Sequence, residues 1–329
     1  MASGRRTMVA ICGDSGTGKT TLSQGIVKLL GEERITTVCT DDYHCLDRRQ
    51  RKALGVTALN PAANDIELLT EHARLLREGR TILKPVYDHR DGTIKGPELV
   101  TPKAIVFIQG LHALFTPAMR ALFDLKIYLD PHPVLKRAWK IKRDVAKRGY
   151  TPEQVIEEIE ARKPDAEAYI YPQKRYADII VSFYPPEGSD GQDGRRLHAR
   201  ILTKRHLPPL DLSAIAGPEN GRRDFWQHDD TLEDGTPVSV LEIMGDLPPE
   251  RALALEERIW RHIGPGQQLA VDKLGQFLDG LTPAHSDSLG LVQLVLLWRI
   301  LERVPPAARV GSEVWPGEVA GREAAAARG

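Results

Sequence analysis

Residues 11–22 read ICGDSGTGKTTL, an apolar run broken by glycines and followed by a lysine and two threonines. Gly13, Gly18, Lys19 and Thr20 meet the spacing G-x-x-x-x-G-K-[ST]. Glycines let the backbone turn so that successive N–H groups wrap an anion, and the helix that follows points its positive end at the same place. The flanks supply the context this requires. TMVAIC before the loop reads as a buried strand, and KTTLSQGIVKLL after it reads as a helix with Leu22, Ile26, Leu29 and Leu30 on one side. The loop residues Gly13, Asp14, Ser15, Gly16, Thr17, Gly18, Lys19, Thr20 and Thr21 are therefore candidates for binding a nucleoside triphosphate. Lys19 would reach the β- and γ-phosphates, and the Thr20 hydroxyl would hold Mg²⁺.

Beyond the loop, apolar strands over 7–12, 35–40, 104–109, 125–129 and 179–183 alternate with helices over 19–30, 66–78, 133–148 and 152–162. This alternation predicts an α/β chain, a P-loop kinase fold with a mainly parallel sheet covered by helices on both faces. A Gly/Pro/Asp-rich break follows near YPPEGSDGQDGRR. After it come strands over 197–204 and 238–243 and helices over 249–263 and 289–304. The expected division is a kinase domain over 1–210, a smaller α+β extension or subdomain over 211–310, and a frayed tail over 311–329.

A formal net charge of zero in 329 residues argues against a nucleic-acid or membrane role driven by bulk electrostatics. No run approaches the ~20 apolar residues of a transmembrane helix, and the first residues lack a signal-peptide core. Three cysteines without pair spacing suit reduced thiols. The expected location is cytoplasmic.

In open parallel sheets, ligands sit beyond the carboxyl ends of the strands. CTDDYHCLDR places Asp41 at such an end, facing the loop, where a carboxylate can accept the proton of an attacking hydroxyl. Asp42 could act likewise or assist a metal. His44 and Arg48 follow, and the planar fork of an arginine suits a phosphate. In KPVYDHRDG, Tyr87 and His89 share a face of extended chain and could hydrogen-bond a polyhydroxylated substrate. WKIKRDVAKRGYTPE puts Lys140, Arg143 and Asp144, then Lys147 and Arg148, on one broad helical face, which reads as a basic lid.

Taken together, GDSGTGKTT, DDYHCLDRRQRKALGVTALNP, KPVYDH, GLH, DLKIYLD, the run from AWKIKRDVAKRGYTPE to QKRYADIIV, and PVSVLEIMGDL resemble the phosphoribulokinase/uridine kinase family, nearest its plant and cyanobacterial phosphoribulokinase type. The resemblance implies ATP-dependent phosphorylation of ribulose 5-phosphate at O1, Mg²⁺ with ATP, a place in the Calvin cycle and a homodimer. It places Asp41 on the catalytic base and His44, Arg48 and His89 on residues that hold the sugar phosphate. Lys140, Arg143, Asp144 and Arg148 fall on the lid signature, Lys140 and Arg143 handling substrate and Asp144 serving catalysis. A kinase of another pentose phosphate or a nucleoside stays open, as does a nucleotide-binding protein without catalysis. Two positions depart from the pattern. Gln109 stands where the family carries a metal-binding Glu, so it offers an amide oxygen without charge. Thr17 stands where plant relatives carry a regulatory cysteine whose partner position is Cys39, and no cysteine follows Cys45.

Overall fold

A computed structural model of the chain describes residues 5–189, 191, 194–210, 225–263 and 269–305. In chain order its first half runs β1 (Thr7–Cys12), α1 (Lys19–Leu30), β2 (Ile35–Cys39), α2 (Arg48–Leu54), α3 (Ile66–Arg77), β3 (Ile82–Asp88), β4 (Thr93–Val100), β5 (Ile105–Gly110) and the short α4 (Pro117–Arg120). There follow β6 (Leu125–Leu129), α5 (Pro133–Arg148), α6 (Pro152–Ala161), a single turn α7 (Lys163–Asp165), β7 (Ile179–Tyr184), β8 (His198–Lys204), β9 (Phe225–Thr231), β10 (Pro237–Ile243), α8 (Pro249–Ile263), β11 (Gln276–Asp279), β12 (Thr282–His285) and α9 (Asp287–Leu301).

Eight of the strands form one sheet in the order β2-β5-β1-β6-β7-β8-β10-β9. The first five in that order are parallel, and the last three join antiparallel. Alternate β1 residues feed two cores. Val9 and Ile11 pack with α1, α8 and α9, while Met8, Ala10 and Cys12 pack with Leu69, Ala73 and Leu76 of α3. Burial on both faces is why these strands read as continuous apolar runs. The alternation expected from the sequence is the alternation observed. The 311–329 tail and part of the 211–310 span lie outside the described residues. No helix among the described residues is long and apolar enough to cross a membrane.

The register aligns the strand ends that matter. Cys12 pairs with Gly110, and Gln109 pairs with both Ile11 and Cys39. The residues that follow, Gly13, Leu111 and Thr40, therefore emerge at one level. Asp41 follows at once, in a 3₁₀ turn over Thr40–Tyr43.

The short helices α2, α4 and α7 were not expected from the sequence, and neither were three pieces of sheet. The β3–β4 hairpin shifts register between Lys84 and Val86, across Pro85, which has no N–H to give the ladder. β9 is exposed along most of its length, so it lacks an apolar signature. The β11–β12 hairpin has only four residues in each strand.

Candidate active site

The phosphate loop depends on backbone that side chains disfavour. Gly13, Gly16 and Gly18 all have positive φ. A Cβ on Gly13 would stand 2.6 Å from the Leu129 carbonyl oxygen, and one on Gly16 would stand 2.8 Å from Lys140 Cβ. Gly18 is the N-cap of α1, so the helix N-terminus opens directly on the loop. Lys19 Nζ donates to the carbonyls of Gly13 (2.8 Å) and Asp14 (2.6 Å), and Thr17 Oγ1 donates to Asp14 O. Burial works to raise the Asp14 carboxyl, but Arg162, Lys136 and its own hydrogen bond from Ser15 N–H outweigh it and hold it below the usual range.

A cleft of ≈ 1430 Å³ opens over this loop. Residues Ser15 to Thr21 line it, as do Asp41, His44, Arg48, Tyr87, His89, Gln109, Arg143 and Arg148. Gly13 and Asp14 lie behind it, shaping the turn. Lys140 and Asp144 are buried in α5 and do not reach the wall.

Asp41 is the carboxylate that faces the loop. Burial opposes its ionisation, yet His44, His89, Lys19 and His112 draw its pKa below the ordinary value. His89 Nε2 stands 3.7 Å from Asp41 Oδ2. Arg148 Nη2 donates to His89 Nδ1 (3.4 Å), which leaves the proton of a neutral His89 on Nε2, toward Asp41. His44 is fixed differently. Asn64 gives its amide N–H groups to Ala58 O and Asn60 O, so its oxygen accepts from His44 Nδ1 at 2.7 Å. Burial lowers His44 to about 4, and it is neutral at pH 7. Tyr87 meets both imidazoles edge-on, and its hydroxyl accepts from Arg51.

Asp42 is spoken for. Its carboxylate accepts from Lys84 Nζ (2.6 Å) and the Tyr87 N–H (3.1 Å), which ties the β3–β4 hairpin to the end of β2. Arg48 Nη2 donates to His89 O (2.7 Å). Gln109 Oε1 accepts from Ser23 Oγ (2.7 Å), one turn beyond Thr20.

The basic helix is organised from within. Asp144 has no exposed side-chain surface and accepts from Lys140 Nζ (2.8 Å) and Arg143 Nε (2.8 Å), with Arg148 Nη1 at 3.4 Å. Burial opposes the charge, but these cations hold Asp144 down at about 2. Arg143 then reaches Ser15 Oγ (3.0 Å). Lys140 also meets Glu158 of α6 (3.2 Å). The residues that sequence reasoning missed are these supports: Asn64, Lys84, Arg51 and Glu158. Each is distant in sequence from what it holds or sits among like charges, so no local pattern marks it.

A glycine loop joining the first strand of a parallel sheet to a helix, faced by a carboxylate at the end of the next strand but one, defines a protein of the P-loop kinase class. The sequence model described as the phosphoribulokinase / uridine kinase family matches residues 8–187. This chain belongs to that family. It is 44% identical over 200 residues to the phosphoribulokinase of Synechocystis sp., covering 61% of this chain and 60% of that one. It is 40% identical over 271 residues to the chloroplastic phosphoribulokinase of Mesembryanthemum crystallinum, covering 72% of this chain and 68% of that one. The chain thus spans about three-fifths of the length of the cyanobacterial relative. A solved phosphoribulokinase from Rhodobacter spheroides is similar in fold, with TM-score 0.56 at 18% identity over 93% of this chain and 99% of that one.

Proposed function

We propose that the chain transfers the γ-phosphoryl group of MgATP to O1 of ribulose 5-phosphate, giving ribulose 1,5-bisphosphate. The observation that carries this reading is Asp41. It is held ionised at a strand end beside the phosphate loop, with a cationic cluster next to it. The loop N–H groups and the α1 N-terminus hold the triphosphate, and Lys19 turns from its loop carbonyls to the β- and γ-oxygens. Arg48, His89 and Arg148 converge where the phosphate of the sugar would lie, and they bring O1 to Asp41. Asp41 orients that hydroxyl and takes its proton as the new P–O bond forms and the bond to the ADP oxygen breaks. Arg143, bonded to Ser15 Oγ, brings a cation to the loop where charge spreads over the transferring group.

The donors present suit Mg²⁺, a hard cation that prefers oxygen. The Thr20 hydroxyl and the Asp41 carboxylate line the cleft. Gln109 adds an amide oxygen with one lone pair already given to Ser23. The ion bound there would neutralise phosphate charge. We assign the C-terminal strands and helices to the same kinase unit, because β8, β10 and β9 prolong the one sheet.

The test is turnover by the full chain against a panel of pentose phosphates and nucleosides with MgATP. Ribulose 5-phosphate should have the highest kcat/KM, with bisphosphate as product. A higher value for a nucleoside or another pentose phosphate would replace the substrate. MgATP binding without turnover of any panel member would replace catalysis by binding alone.

A further inference from the structure

The family match ends at residue 187, but the cleft does not. Its remaining wall includes the β11–β12 hairpin, which faces the same space as Thr20 and Thr21. The hairpin is anchored at both ends. At its base the Gly275 N–H donates to Gln293 Oε1 (3.0 Å), and the Ser286 N–H donates to Gly275 O (3.0 Å). Gly275 has φ +59, and a Cβ there would stand 2.3 Å from the Ser286 carbonyl oxygen, so the turn requires glycine. At the tip, Asp279 pairs with Lys142 of α5, and Gly280 lies against Ala146.

Helix α5 connects two chemically different ends of the cleft. Arg148 belongs to the cationic end with Arg48 and His89. Trp139, nine residues earlier and so about 13 Å back along the axis, lies by the loop. Its ring comes within 3.8 Å of where a Gly18 Cβ would be, and it meets Phe183 edge-on at 6.4 Å. The stripe of α5 that carries Lys142 also carries Trp139, three residues away. The strand face that carries Asp279 also carries Phe277, two residues away. Trp139, Phe183, Phe277 and Leu289 make this end of the cleft aromatic and apolar. A triphosphate on the loop with its γ-group toward Asp41 must point its nucleoside the other way, into that end.

We propose that the β11–β12 hairpin is the base-side wall of the nucleotide site, with Phe277 and Trp139 packing against the faces of the nucleobase. The ligand is a nucleoside triphosphate whose base is held by its π-face more than by its edge. The inference rests on the MgATP reading above and adds to it an element outside the family-matched residues. The Lys142–Asp279 pair fixes the hairpin to the helix that bears Arg143 and Arg148, so the same contact sets the width of the base slot.

Binding of MgATP and of magnesium tripolyphosphate to the full chain, unmodified and as Phe277→Ala, separates the base from the phosphates. Removing one base–aromatic contact should weaken MgATP about 5- to 150-fold. Tripolyphosphate affinity should stay within about twofold, which also shows the variant to be folded. On the unmodified chain, photolabelling with 8-azidoadenosine triphosphate should mark Trp139 or residues 276–289. Equal loss of both ligands, no loss of either, or a label elsewhere would overturn the proposal while leaving the MgATP reading intact. An unmodified chain that binds neither ligand would remove both.

Discussion

Asp144→Asn is the substitution that most directly asks what the buried charge in α5 does. The side chain has no exposed surface, and it is shared by Lys140, Arg143 and Arg148. Its carboxyl lies at about 2 against an ordinary 3.8, and at 1.36 kcal/mol per unit this charged form contributes about 2 kcal/mol. Spread over 329 residues, at ~2.1 cal/mol/K each, that loss lowers Tm by about 3 °C. The sign with pH follows from the depressed value. The contribution is complete above about pH 4 and disappears as pH falls through about 2, so the urea midpoints of the two proteins should converge below pH 4. Catalysis should suffer more. Asn cannot hold three cations, and freeing the two that reach the cleft, Arg143 and Arg148, costs about 0.5–1.5 kcal/mol each in lost preorganisation. Steady-state kinetics should therefore show kcat lower by roughly 5- to 150-fold with KM for ATP little changed. A variant with the expected drop in Tm and kcat within twofold of the unmodified chain would show that the cluster only packs the helix.

Asp41→Asn should lower kcat by about 10²–10⁴-fold while MgATP affinity is retained; retention of half the activity would refute the base assignment, and the Lys84 pairing of Asp42 makes that neighbour a poor substitute. Arg48→Ala should raise KM for the sugar phosphate roughly 10- to 150-fold, the worth of a charge-assisted contact, and a rise in KM for ATP alone would mean that the two sites are reversed. Gln109→Glu should lower the Mg²⁺ concentration for half-maximal rate by placing a carboxylate where Ser23 Oγ now donates to an amide; an unchanged requirement would show that the metal is held elsewhere. Activity should be insensitive to oxidised and reduced dithiothreitol, because Thr17 cannot form a disulfide with Cys39 and Cys12 is buried, its thiol pushed up to about 11. Reversible loss of activity with two thiols consumed would contradict this.

The parallel strands and the long helices between them were legible because their signals are local. A buried parallel strand must be apolar throughout, and the glycines of residues 13–18 are required by backbone conformations that other residues resist. For the same reason the loop, the helix that opens on it and the carboxylate after β2 could be located from spacing alone. The basic helix could be located but not oriented. Lys140, Arg143, Asp144 and Arg148 lie at helical spacings, and cations occur on several sides of α5. Which of them turns inward was decided by Glu158 of α6 and by the close approach of Gly16. Tertiary structure therefore buried Lys140 and Asp144 as an internal brace and left Arg143 and Arg148 on the cleft. It also gave Asp41 and Asp42, adjacent and chemically identical, separate tasks, because only Asp42 meets Lys84 across 42 residues. The hairpin that closes the far side of the cleft lies some 260 residues from the phosphate loop and carries no motif. Its place was set by one glycine turn, one buried glutamine and one ion pair, contacts that exist only once the chain has brought α9 against α1.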